Sequence, residues 1–239
     1  MTVGGDAGPL AVLRRIRQGA AVAPASPAPP EPVAAPAAAP AGLAVSAGAV
    51  ERCELCASDL TEVHRHIVDL EDRGLLCACR PCALLFTQQG SAAGRYRTVP
   101  DRYLAVSGFE LSPGQWDGLQ IPVKIAFFFE NSRTGETGAF YPSPAGATES
   151  LLPLSAWAAI VAANPVLKGV EADVEAVLIR ADTAGPSCFV VPIDACYELV
   201  GSLRRLWRGF DGGSEARQAL ADFFDGLATR ARVVAGGRG

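Results

Sequence analysis

Residues 123–130 read VKIAFFFE, and this stretch decides the fold class. An apolar run so rich in aromatic residues is typical of a buried β-strand. Residues 131–135, NSRTG, supply a turn, and residues 137–141 can return as the second arm of a hairpin. The prolines within residues 142–146 then break the pairing. The middle of the chain is therefore predicted to form an antiparallel hairpin.

The segments after the hairpin alternate between helix and strand patterns. In order, we expect a helix at 155–163, strands at 174–180 and 188–191, a helix at 194–208 that Asp194 caps, and a last helix opened by Ser214. This order predicts an α+β fold in which a small mixed or antiparallel sheet is covered by helices on one face. Cys188 and Cys196 fall in these elements and are expected to be small core residues.

Two C-x-x-C pairs lie on the N-terminal side of the hairpin, with 22 residues between them: Cys53 with Cys56, and Cys79 with Cys82. Two thiolates three positions apart in a tight turn can reach one ion, and two such turns complete a tetrahedron with Zn–S distances of about 2.3 Å. In a chain expected to stay in the cytoplasm, such a cluster favours metal ligation over a disulfide framework. The sequence therefore predicts a zinc site formed by these four cysteines.

The segment between the two pairs can form a hairpin that brings them together. Residues 63–70 alternate as a strand, residues 71–74 form a turn, and residues 75–78 return. Residues 83–86, after the last cysteine, have helical character. A cysteine turn, a hairpin and a second cysteine pair at the start of a helix together predict a treble-clef-like zinc module.

Several alternatives to a structural zinc site remain open at this point. The four cysteines can pack as reduced core residues, cycle between thiol and disulfide, or hold iron in an iron–sulfur cluster. Cys77 adds a fifth thiol, on the same strand face as Cys79. It is a supporting thiol near the metal, a substitute ligand or a bystander.

His64 and His66 are the only histidines of the chain, and both fall between the cysteine pairs. Residues two apart on a strand point to the same face, so the imidazoles are expected to lie side by side. They can bind a second ion, act as a general base beside a metal-bound water, or form only local hydrogen bonds. Cys77, His64 and His66 are therefore candidate additional ligands.

The order of these motifs resembles the His–Asn–His nuclease version of the treble clef. In that family a histidine on the hairpin activates water beside a catalytic divalent ion, and His64 or His66 matches that histidine. Residues 67–76 contain no asparagine, however, and Ala83 stands where the family has a metal-binding histidine. The resemblance implies a degenerate nuclease as an alternative function.

A longer resemblance covers roughly residues 51–232. The phrases HRHIVDLEDRGLLCACRPCALLF, IPVKIAFFF, AFYPSPAGATES, AANPVL and VPIDACYELVG look like an uncharacterised bacterial family from gene neighbourhoods of respiratory uptake NiFe hydrogenases. This resemblance implies an accessory or maturation role near a metalloenzyme, with a hydrogenase subunit or maturation factor as protein partner. It supplies no catalytic residue, so the protein is expected to act through protein contacts rather than as an enzyme.

Composition and charge argue against a nucleic-acid-binding, a membrane-spanning or an exported protein. The chain has 239 residues and a net charge of −4, so it is not expected to bind nucleic acid unassisted. No stretch approaches the roughly 18–20 consecutive apolar residues of a membrane span. Arg14 and Arg15 are similar to a twin-arginine export signal, but prolines rather than an apolar segment follow them, and a cytoplasmic location is expected.

Three regions are predicted along the chain. Residues 1–50 form a disordered Ala/Pro-rich tail with a short N-terminal helix, residues 51–90 form the cysteine-rich zinc-binding module, and residues 91–239 form the α+β domain. Residues 88–120 are expected to be an irregular connection. Residues 141–150 are expected to form a loop at the sheet edge, with peptide docking or anion binding as alternatives.

Overall fold

The structure is a computed structural model that describes residues 50–88, 90–150, 155–182, 185–209 and 212–236. The predicted N-terminal tail with its short helix lies outside these residues, except for Val50. In the described part of the chain, no helix combines the length and the apolarity needed to cross a bilayer.

Strands and helices alternate through the described residues. The strands are β1 (Arg65–Asp69), β2 (Gly74–Ala78), β3 (Tyr96–Thr98), β4 (Leu104–Ser107), β5 (Ile125–Asn131), β6 (Glu136–Ser143), β7 (Gly146–Glu149), β8 (Glu175–Asp182), β9 (Gly185–Pro192) and β10 (Arg232–Ala235). The α-helices are α1 (Arg80–Leu84), α2 (Pro113–Gly118), α3 (Ser155–Ala163), α4 (Ile193–Leu206) and α5 (Gly213–Arg230), and 3-10 helices span Ser91–Gly94 and Pro165–Gly169.

The strands form a small and a large sheet. The small sheet has three antiparallel strands in the order β2-β1-β3. The large sheet has seven strands in the order β10-β4-β9-β8-β5-β6-β7, and it is mixed because β10 runs parallel to β4. The prediction of several helices combined with antiparallel and mixed sheets is therefore confirmed.

Strand β5, an interior strand of the large sheet, is buried on both faces of that sheet. Phe127 lies in one apolar cluster with residues of α4 and α5, and Phe128 lies in another with residues of α2 and α3. Both side chains are fully buried, and each contributes on the order of 2–3 kcal/mol by that burial. Helices therefore cover both faces, and the expectation that they cover only one face is wrong. A strand covered on both sides needs no polar positions, which explains the unbroken apolar run.

Residues 88–120 contain more regular structure than the predicted irregular connection. They include β3, β4 and α2. Helix α2 begins with a capping box, in which the Ser112 side chain accepts a hydrogen bond from the Gln115 backbone and the Gln115 side chain accepts one from the Ser112 backbone.

The prolines of residues 142–146 do not end the strand pairing as predicted. Strand β6 continues to Ser143 and turns back into β7, so Tyr141 pairs with Thr148. The pairing of β6 with β5 ends at Phe140. Pro142 is tolerated because it lies past this point, where a backbone N–H toward β5 is not required.

The small sheet packs against the face of the large sheet that carries α4. Val68 of β1 belongs to the same apolar cluster as Leu199 of α4. Arg97 of β3 donates hydrogen bonds to the Ala172 carbonyl at 2.7 Å and to the Glu171 carboxylate at 2.9 Å, just before β8. Strand β3 of the small sheet lies after residue 90, which is the C-terminal boundary predicted for the cysteine-rich module.

Candidate metal centre

The first cysteine pair lies in a tight turn before the small sheet. The Ala57 N–H donates to the Cys53 carbonyl at 2.7 Å, and the Cys53 N–H donates to the Ser58 carbonyl at 2.8 Å. Ala57 has a φ of 59°, a left-handed conformation that closes the turn. The turn buries Cys53 and leaves Cys56 exposed.

Glu54 fastens this turn to strand β2. Its N–H donates to the Cys77 carbonyl at 2.9 Å, and its carboxylate accepts a hydrogen bond from the Cys77 N–H at 2.6 Å. Strand β2 is the outer strand of the small sheet. One residue between the first two cysteines therefore pairs both backbone groups of Cys77 and holds the turn beside the second cysteine pair.

The second cysteine pair lies at the start of α1. Cys79 is the N-cap residue, and its carbonyl accepts the first helical hydrogen bond, from the Ala83 N–H at 3.0 Å. Pro81 in the first turn costs no hydrogen bond, because the first N–H groups of a helix have no partner within it. Cys82 follows within the same turn and points to the same region as Cys79.

The structure brings the four cysteines of the two pairs together. Their sulfur atoms all lie within 4.8 Å of one another, and Sγ of Cys56 is 3.6 Å from Sγ of Cys79. Sulfur atoms about 2.3 Å from a tetrahedral zinc ion are about 3.8 Å apart, which is close to the observed spacing. All seven cysteines of the chain are free. The four sulfurs are therefore close enough to hold a metal ion.

Hydrogen bonds favour the ionisation of Cys53 within the four-cysteine group. Burial opposes the ionisation of Cys53, but the N–H of Cys79 and those of the first turn outweigh it and lower the pKa of Cys53 to about 6. The hydrogen bond with the Cys79 thiol is the main cause that raises the pKa of Cys82 to about 12. Four neighbouring thiolates repel one another, so their joint ionisation requires a cation among them. The donor set fits a divalent metal.

Cys77, His64 and His66 form a second group. Their ligand atoms lie within 4.8 Å of one another, and the two imidazole centroids are 4.8 Å apart. Cys77 faces His66 directly in the β1–β2 register. The fifth thiol thus lies with the histidines rather than within the four-cysteine group, and ligation by these three residues stays a prediction.

Three carboxylates around these groups escape prediction from the sequence. Glu51 accepts a hydrogen bond from the Cys77 thiol at 3.4 Å, Glu54 holds the first turn against β2, and Asp194 Oδ2 lies 2.8 Å from His66 Nδ1.

The prediction that Asp194 caps α4 is wrong, because the helix begins at Ile193 and Asp194 lies in its first turn. His66 and Asp194 are 128 positions apart, so only the folded chain reveals their contact. Position inside the first C-x-x-C pair is the only sequence signal for Glu54.

Cys188 and Cys196 are core residues, as the sequence predicts. Both are buried in the large sheet and α4, and burial raises the pKa of both thiols. Neither belongs to the groups of potential metal ligands found among the described residues.

Among known proteins, the chain matches one family model but no curated protein and no solved structure. A family model matches residues 52–231, a range that includes the four cysteines, both histidines and Asp194. The chain therefore belongs to a family of unknown function, DUF5947.

Proposed function

We propose that the protein is a zinc-binding accessory protein that acts through protein contacts in the assembly or maturation of a respiratory NiFe hydrogenase. The observation that carries the proposal is the convergence of four cysteine sulfurs within 4.8 Å. A group of four thiolates leaves no open position on a tetrahedral ion and is typical of structural zinc sites. Such an ion stabilises a fold that other proteins recognise.

The elements around the four cysteines support a treble-clef-like zinc module. A cysteine turn, the β1–β2 hairpin and α1 follow one another, with the second pair at the start of the helix. The buried apolar cluster beneath them is small and consists of Cys53, Ile67, Ala78 and Ala83. A core of this size contributes little free energy of folding, so metal binding supplies the remainder.

Exposed apolar side chains support a role in protein contacts. Leu84 and Leu85 are neighbours at the end of α1 and are 60% and 67% exposed. Most of the exposed large apolar side chains in the described part of the chain belong to residues 50–85: Val50, Leu55, Val63, Leu84 and Leu85. Adjacent exposed apolar residues such as Leu84 and Leu85 are typical of interaction sites. The proposal therefore places the partner on the cysteine-rich module, in the cytoplasm, and takes the hydrogenase from the family resemblance.

Metal analysis of the purified full chain tests the zinc site. We expect bound zinc that Cys79→Ser loses, together with a lower Tm, because the binding free energy of a structural ion contributes to folding. Cys188→Ala is the matched control, since this thiol is buried elsewhere, and it is expected to retain the zinc. Unchanged zinc in Cys79→Ser would contradict the ligand set. A brown protein with visible charge-transfer absorbance would indicate that the four cysteines hold an iron–sulfur cluster instead of zinc.

Copurification from cells that make the hydrogenase tests the role. We expect tagged wild-type protein to recover a hydrogenase subunit and the double variant Leu84→Asp/Leu85→Asp to lose it. Val233→Asp is the matched control, because Val233 is also 67% exposed but lies on β10 of the large sheet. Zinc content measured in the same samples shows that the module is folded. A wild-type protein that recovers no hydrogenase subunit would overturn the role, and equal recovery by the double variant would overturn the proposed surface.

A further inference from the structure

We propose that His64, His66 and Cys77 bind a second divalent metal ion beside the four-cysteine group. Their ligand atoms lie within 4.8 Å of one another, although the residues come from both strands of the hairpin. His66 and Cys77 are direct partners in the β1–β2 register. His64 lies just before β1, and its ring centroid is 4.8 Å from that of His66. The hairpin therefore presents two imidazoles and one thiol to the same point.

The hydrogen bonds of both imidazoles leave the same ring nitrogen available. His66 Nδ1 lies 2.8 Å from Asp194 Oδ2, and His64 Nδ1 lies 3.0 Å from the Thr61 carbonyl oxygen. An oxygen acceptor at Nδ1 keeps the proton there and leaves the lone pair at Nε2. Histidine ligands of metal ions have this arrangement, in which the second nitrogen donates to a carboxylate or carbonyl that fixes the ring.

His64 Nε2 is an independent indication of a ligand. The His64 side chain is only 9% exposed, and its Nε2 has no hydrogen-bond partner among the described residues. A buried polar atom without a partner destabilises the folded chain. A metal ion bound to Nε2 would remove that destabilisation.

The donor set determines the class of metal. Two neutral imidazoles and one thiolate suit zinc and neighbouring transition ions rather than magnesium or calcium, which prefer oxygen ligands. His64, His66 and Asp194 also line an open cleft between the small sheet and α4. Three protein ligands beside a cleft form a site where an ion can exchange or bind a further molecule.

A cobalt titration of the full chain tests the second site. The protein is first loaded with about one equivalent of zinc, which is expected to occupy the four-cysteine group because four thiolates complete its tetrahedron. Added cobalt is not expected to displace this zinc, because zinc binds such ligands more tightly. We expect about one further equivalent of Co²⁺ to bind with visible d–d bands and a sulfur-to-cobalt charge-transfer band. We expect Cys77→Ser to lose the charge-transfer band and the double variant His64→Ala/His66→Ala to lose Co²⁺ binding.

Asp194 is a positioning residue in this proposal, and its substitution separates a metal site from a structural hydrogen bond. Asp194→Asn is expected to weaken Co²⁺ binding by about 10–100-fold, because it removes the charge that orients the His66 ring. Glu198→Gln is the matched control, since Glu198 is exposed on the same helix and lines the same cleft, and it is expected to leave the affinity unchanged.

Two results would overturn the second site. One is that zinc-loaded wild-type protein binds no Co²⁺. The other is that the histidine double variant still binds Co²⁺ and that Cys77→Ser keeps the charge-transfer band. Zinc retained in each variant shows that the four-cysteine group is intact. A failure of the second site is therefore distinguishable from a failure of the first.

Discussion

Asp69, at the end of β1, shows how a single buried carboxylate holds the small sheet together. It accepts hydrogen bonds from the Arg95 side chain at 2.6 and 3.0 Å and from the Glu71 N–H at 2.9 Å. Burial opposes its ionisation, but Arg95 and the backbone N–H groups outweigh burial and keep the pKa of Asp69 below its ordinary value. The carboxylate thus joins the β1–β2 turn to the segment that leads into β3.

We expect Asp69→Asn to lower the free energy of unfolding by about 1–3 kcal/mol at neutral pH. The pKa of Asp69 is lower in the folded chain than in the unfolded chain. Its contribution is therefore complete above the unfolded value, about pH 4, and is lost as the pH falls through the folded value. Urea unfolding at neutral pH and at about pH 3 should show a large difference between wild type and variant that shrinks in acid.

Asp72→Asn is the control for this measurement. Asp72 also pairs with Arg95, at 3.1 Å, but its side chain is 76% exposed. Exposed ion pairs contribute at most about 1 kcal/mol, so only a small change is expected. An Asp69→Asn effect of the same size at both pH values would contradict the role assigned to the charge.

At the scale of elements, the cysteine turn and strand β2 act as one unit through Glu54. We expect Glu54→Ala to speed the transfer of zinc to a chelator by about tenfold, because a lost hydrogen bond to a charged group costs on the order of 1.5 kcal/mol. Glu54→Gln keeps an acceptor oxygen and should have a smaller effect. A zinc indicator measures the transfer rate.

Glu62→Ala is the matched control for the Glu54 variants, since Glu62 is an exposed glutamate of the same module. Its zinc transfer rate should equal that of the wild type. Equal rates for Glu54→Ala and Glu62→Ala would mean that the turn holds its position without the contact to Cys77.

The elements were predictable where local pattern determines them. The C-x-x-C spacing and the apolar run at 123–130 are local signals, and the structure has a turn, a hairpin and a helix in the expected order. Strand β4 was not predictable because it is short and pairs with β10, more than a hundred residues later. Coverage of both sheet faces was already implied by Phe127 and Phe128, since adjacent residues of a strand point to opposite sides.

At the scale of the whole molecule, two unequal cores share one chain. The large sheet has an extensive apolar cluster on each face, one of which includes Val68 of β1, whereas the cluster next to the four cysteines is small. We expect chelation of the metal to speed hydrogen exchange in β1, β2 and α1 while β5 and β8 remain protected. Mass spectrometry of peptides from these elements measures the difference. Equal loss of protection in both sheets would contradict a module that depends on its ion.

The contacts between the two cores were the least predictable part of the candidate site. The pairing of His66 with Asp194 depends on how α4 packs against the small sheet, and no periodicity within either segment encodes it. The sequence therefore pointed to the cysteines and histidines that lie together in the folded chain, but not to the separation of Cys77 from the other four thiols. Cys77 joined the histidines because it faces His66 across the hairpin.

The outer position of β2 has a consequence for the metal-free protein. Glu54 occupies the backbone groups of Cys77 that face away from β1, so a released turn would leave these groups unpaired at the outer edge of the sheet. Unpaired strands recruit copies of themselves and seed aggregation. Zinc-depleted protein is therefore expected to self-associate, which light scattering would detect. When the metal is scarce, the protein would then aggregate while its large sheet is still folded.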